Sequence, residues 1–156
     1  MTNIHNLFKF LEKKKGTETP LRVKLLYAPD ELTDEDLQVK GDLNLKNTPI
    51  TSLPDNLQVG GSLTLANTKI TSLPDNLQVG GSLFIYRTPF TSLPDNLKVG
   101  RHLNLSDTKI TSLPDNLKIG GNLFLYNNPL GKKYTKEEIR KMVKDTGGYV
   151  KGEIYA

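Results

Sequence analysis

The chain contains no cysteine and no tryptophan, and it has only two histidines and two methionines. Without cysteine there is no disulfide, no thiolate metal site and no thiol nucleophile. With only His5 and His102, a histidine-based metal centre is disfavoured as well. No apolar run approaches the roughly 18 residues that a membrane-spanning helix needs. Charge of one sign is also in short supply: 21 Lys and Arg face 17 Asp and Glu, and the net +4 is too weak by itself to argue for a nucleic-acid partner. The N-terminal stretch MTNIHNLFKFLEKKKG places its lysines after the apolar residues, the reverse of a secretory signal, so a cytoplasmic location is expected. These shortages point to a small soluble protein with few residues on which enzyme chemistry could run. Its 156 residues suffice for one domain or one short repeat array.

What the chain has in abundance is self-similarity. The hexapeptide TSLPDN recurs unchanged at 51–56, 71–76, 91–96 and 111–116, a period of 20 residues. Each copy continues as L-(Q/K)-(V/I)-G, then x-x-L-x-(L/I), and closes on Ile70, Phe90, Ile110 or Leu130. A divergent copy fills 31–50, which gives five repeats over 31–130. One repeat holds too few apolar residues to close a core, so the copies must stack and bury a shared column. Leu63 and Leu65 alternate with Ser62, Thr64 and Ala66, which predicts a short strand over 62–66 with one buried face. Pro54, Asp55 and Asn56 predict a tight turn on the opposite side, and Gly60 and Gly61 a bend back into the strand.

The run Leu63, Leu65, Thr68, Ile70, Leu73, Pro74 resembles the LxLxxNxLxxLP frame of leucine-rich repeats, in the short 20-residue bacterial class that includes the LPX effector repeats. The resemblance implies an α/β solenoid with a parallel sheet on a concave, ligand-binding face, an irregular convex side of turns, and helical caps at both ends. The family's inward asparagine is replaced by Thr48, Thr68, Thr88 and Thr108, and only Asn128 keeps it. A threonine hydroxyl can satisfy a neighbouring carbonyl but cannot bridge two groups as an amide does.

The ends read as caps. Residues 1–30 predict a helix carrying Ile4, Leu7, Phe8 and Leu11 on one face, then a strand over Leu21–Tyr27. Residues 131–156 predict a helix over 135–146, opened by a Thr135/Glu138 capping box with Tyr134 and Ile139 as its staple, and a strand over 149–155 that extends the repeat sheet. Net charge is +3 in each end segment and −2 in the repeats, which fits lysines on solvated helix faces.

Function is sought where the repeats differ from one another. The outward strand positions are Asp42, Ser62, Ser82, His102, Asn122; Asn44, Thr64, Phe84, Asn104, Phe124; Lys46, Ala66, Tyr86, Ser106, Tyr126; and Asn47, Asn67, Arg87, Asp107, Asn127. Two aromatic pairs, Phe84 with Tyr86 and Phe124 with Tyr126, flank a groove floored by Asn104 and Ser106. With Arg87, His102 and Asp107 they have the composition of an interaction hot spot. The competing expectation is that these rings only pack on neighbouring strand side chains. Tyr149 and Tyr155 are candidates to extend the patch. The Asp55, Asp75, Asp95, Asp115 ladder lacks second acidic residues and reads as turn chemistry, not as calcium ligands.

The expectation is therefore a monomeric, non-enzymatic protein-binding module without cofactor or metal. The repeats also resemble open reading frames of bacteria and their phages, which suggests an inhibitor that occupies a host defence protein. Nucleic-acid binding through basic ends and exposed aromatics, or a non-catalytic secreted-effector scaffold, are the alternatives. The resemblance implies that the ligase activity of related effectors rests on a cysteine in a further domain, and these 156 residues contain no cysteine.

Overall fold

The computed structural model describes residues 21–156. The helix expected to carry Ile4, Leu7, Phe8 and Leu11 lies outside them.

Each repeat makes two short strands. Gln38–Val39, Gln58–Val59, Gln78–Val79, Lys98–Val99 and Lys118–Ile119 are β1, β3, β5, β7 and β9; Leu43–Asn44, Leu63–Thr64, Leu83–Phe84, Leu103–Asn104 and Leu123–Phe124 are β2, β4, β6, β8 and β10. Odd and even strands form two separate sheets, each closed by one strand from the end segment: β11 (Tyr149–Val150) in sheet I and β12 (Ile154–Tyr155) in sheet II. All pairings are parallel, and within the repeats every register step is 20 residues, as in Leu43↔Leu63↔Leu83↔Leu103↔Leu123. The fold is thus a parallel-strand β-solenoid with few helices.

Sheet I corrects the expected irregular convex side. Gln58–Val59 is only two residues long, and its one inward side chain gives no alternation to detect. The expected strand over 62–66 shortens to Leu63–Thr64.

One continuous core runs through the stack. Leu57, Val59, Leu63, Leu65 and Ile70 of a single repeat are each at most 2% exposed, and their counterparts line up above and below. Full burial of such side chains stabilises by roughly 1.5–3 kcal/mol apiece. The coils approach closely because glycine fills the bend: a Cβ on Gly60 would sit 2.7 Å from the Lys40 carbonyl oxygen, and Gly80, Gly100 and Gly120 face the preceding carbonyl in the same way.

The inward threonines bond within their own coil. The hydroxyls of Thr48, Thr68 and Thr108 donate to the carbonyls of Leu45, Leu65 and Leu105 at 2.6–2.7 Å. Asn128 reaches across instead, donating to Thr108 Oγ1 at 2.9 Å and the Leu105 carbonyl at 3.3 Å while accepting the Leu130 amide at 2.9 Å.

Leu21–Tyr27 is a helix, α1, and not the expected strand. Its apolar spacing serves either geometry, because Leu21 and Leu25 are partners at i, i+4 as well as members of an alternating series. Packing decides: Leu25 is buried and Leu21 and Leu26 lean on the same core. Pro29 then opens a 3-10 turn over Pro29–Glu31. At the other end, α2 (Pro129–Lys133) precedes α3 (Lys136–Asp145). The capping box forms as expected, with Thr135 N–H donating to Glu138 Oε2 at 2.8 Å and Glu138 N–H donating to Thr135 Oγ1 at 3.2 Å. Ile139 and Val143 of α3 are buried with Val150 and Ile154. The single strand expected over 149–155 is two strands, one in each sheet, with Gly152 between them.

Candidate functional site

The face of sheet II carries the expected columns in register, and each column has its own role. In the first, every side chain accepts the backbone amide of the next coil. Asp42 Oδ1 takes Ser62 N–H at 2.6 Å, Ser62 Oγ takes Ser82 N–H at 3.0 Å, and Ser82 Oγ takes His102 N–H at 3.3 Å. His102 Nδ1 takes Asn122 N–H and Asn122 Oδ1 takes Glu153 N–H, both at 3.0 Å. Asp, Ser, His and Asn share only an acceptor atom at similar reach, which is the signal the sequence offers for this ladder. Because Nδ1 accepts, the neutral His102 ring carries its proton on Nε2.

In the second column Asn44 and Asn104 turn back on themselves, each Oδ1 accepting the amide two residues on at 3.0 Å. Asn104 lies between Phe84 and Phe124 in register, so the aromatic pairs are separated by one strand. The groove expected there is closed at its floor. Ser106 is 8% exposed, and its hydroxyl is enclosed without a hydrogen-bond partner.

The two aromatic pairs differ. Phe124 stacks on Tyr155 with ring centroids 4.9 Å apart and 7° between planes. Tyr126 lies 6.4 Å from both rings, and His102 meets Phe124 edge-on at 6.2 Å. Tyr126 nevertheless remains 49% exposed. Lys136 Nζ stands 5.7 Å above the Tyr155 ring. Among the described residues, Phe84 and Tyr86 form no such cluster: Tyr86 is covered by Lys46 Nζ at 5.7 Å, and both rings are half-buried. Tyr155 therefore joins the patch, whereas Tyr149 belongs to sheet I beside Lys151.

The fourth column sits at a left-handed turn, with φ between 52° and 57° at Asn47, Asn67, Arg87, Asp107 and Asn127. Asn and Asp tolerate that conformation and link the coils: Asn67 Nδ2 donates to Asn47 Oδ1 at 2.9 Å, and Asn127 Nδ2 to Asp107 Oδ1 at 3.1 Å. Arg87 breaks the pattern. Its Nε is 3.6 Å from Asp107 Oδ2, but the side chain is 66% exposed and gains little from a pair in water.

Elsewhere, Asp95 Oδ1 accepts the Asp115 amide at 3.0 Å and Asn116 Nδ2 donates to Asn96 Oδ1 at 2.9 Å, so the third and fourth TSLPDN turns are stitched by the same device. Among the described residues, no group of three or more His, Cys, Asp or Glu is placed to hold a metal ion, and no helix is long and apolar enough to cross a membrane. Comparison with protein-family models, curated proteins and solved structures gives no match for this chain.

Proposed function

We propose that the protein is a non-enzymatic binding module that holds a protein partner on the face of sheet II. Phe84, Tyr86, Arg87, His102, Asn104, Asp107, Phe124 and Tyr126 make the contact surface, with Tyr155 added to it. The observation that carries this reading is the Phe124, Tyr126, Tyr155 cluster, in which a half-exposed tyrosine is held in fixed geometry by stacked neighbours. A rigid aromatic surface loses little side-chain entropy on docking, and such residues dominate binding energy at interfaces. Arg87 supports it: a left-handed arginine costs on the order of 1 kcal/mol where the other coils have Asn or Asp, and a strained, exposed cation suits a contact made outside the chain.

The finer reading follows the sequence resemblance: a short leucine-rich repeat of the LPX-like class, bacterial or phage-encoded, acting as a monomer in the cytoplasm by occupying a host defence protein. The test is a pull-down from bacterial lysate with wild type and a variant carrying F84A, Y86A, F124A and Y126A. Recovery of a protein by wild type and at least tenfold less by the variant, with matching circular dichroism, is expected. Equal recovery by the two baits sinks the assignment of this face.

A further inference from the structure

Two columns of backbone hydrogen bonds run the length of the solenoid beside the glycine bends. In one, the carbonyls of Val39, Val59, Val79, Val99 and Ile119 each accept an amide from the following coil at 2.7–3.0 Å. In the other, the carbonyls of residues 41, 61, 81, 101 and 121 do the same over the same distance range. Both columns end on one side chain. Arg140 Nη1 donates to the Val150 carbonyl at 2.7 Å, and Nη2 to the Gly152 carbonyl at 2.9 Å. The planar guanidinium, with two N–H groups in a fixed fork, stands in for the two amides that a further coil would bring.

The first coil of the solenoid carries those two amides. Lys40 and Gly41 occupy the positions whose counterparts, Gly60 and Gly61, donate to the coil before them. Both residues are exposed, and a Cβ built on Gly41 meets nothing within 4 Å, whereas Gly61 and Gly81 press against the preceding coil. We infer that the C-terminal end of the solenoid is a latent docking site for the first coil of a second copy of this chain, kept closed by Arg140.

Such a contact is head-to-tail and does not close on itself, so an unblocked end grows into a filament. Lys40 is a lesser obstacle: it stands in the glycine column, where Lys151 carries a Cβ and still donates to the Ile119 carbonyl at 3.0 Å, so K40G only eases the approach. The fork is thus an edge-blocking device made by one helix residue.

Light scattering coupled to size exclusion, at rising concentration, tests it on R140A, K40G and R140A/K40G. Wild type is expected at the 17.4 kDa of one chain, and the double variant at twice that mass or more, increasing with concentration. Adding G41P, which deletes one of the two incoming amides, returns the double variant to a single chain. If circular dichroism shows the double variant unfolded, R140Q/K40G, which keeps a polar side chain there without the two-armed fork, is measured in its place. A folded open variant that stays at one chain's mass, or assembly that survives G41P, overturns the inference.

Discussion

His102 Nδ1 lies 3.0 Å from the Asn122 amide, and one coil later Asn122 Oδ1 does the same for Glu153. The two side chains are interchangeable in this role, although only the histidine also meets the Phe124 ring. H102A leaves the Asn122 amide without that acceptor and is expected to cost about 0.5–1.5 kcal/mol in urea unfolding. H102N should recover most of that loss, because its Oδ1 reaches the same amide. Equal destabilisation by both variants would show that the ring contact, and not the ladder, is what His102 contributes. The inward threonines make the contrast. Thr68 satisfies one carbonyl in its own coil, while Asn128 joins two coils and the start of α2.

At the scale of elements, α1 is tied to the first coil by Lys24 Nζ, 2.9 Å from Asp36 Oδ2, with both side chains mostly buried. Burial alone would raise the Asp36 pKa, but the Lys24 hydrogen bond, the Thr33 amide and hydroxyl, and the Lys24 charge together outweigh it, so the carboxyl titrates below its ordinary value. A depressed folded pKa contributes stability that is present above the ordinary carboxylate range and is lost as pH falls through the folded value. Comparing wild type with D36N in thermal unfolding should give a stability gap at neutral pH that narrows in acid. A gap independent of pH contradicts this role. Which elements the sequence revealed follows from how much pattern each one spans. The 20-residue period appears four times in full and made the solenoid legible, and the Thr135/Glu138 box marked α3. Sheet I leaves little trace in the sequence because its strands are two residues long, and α1 is ambiguous there because Leu21, Val23 and Leu25 fit a strand as well as a helix. The aromatic columns were legible from their differences between coils. The stacking of Phe124 on Tyr155 was not, since it depends on a register step of 31 residues instead of 20. Arg140 was invisible because nothing in its local sequence points to carbonyls ten and twelve residues away.

Over the whole molecule, one apolar column is enclosed by two six-stranded sheets, and the two faces of the coil divide the work. The TSLPDN turns repeat the same residues from coil to coil, so they offer a surface of uniform composition. Sheet II varies from coil to coil, and its variation gathers aromatics toward the C-terminal end beside Lys136. A partner that reads this chain must read the varying face. Hydrogen exchange of the protein, free and in complex with the protein recovered by the wild-type bait, tests that claim most directly. Slowed exchange confined to 84–87, 102–107 and 122–127, with the TSLPDN turns unchanged, is the predicted result. Protection that falls on the turns or on α3 and leaves those three segments unaltered would contradict it.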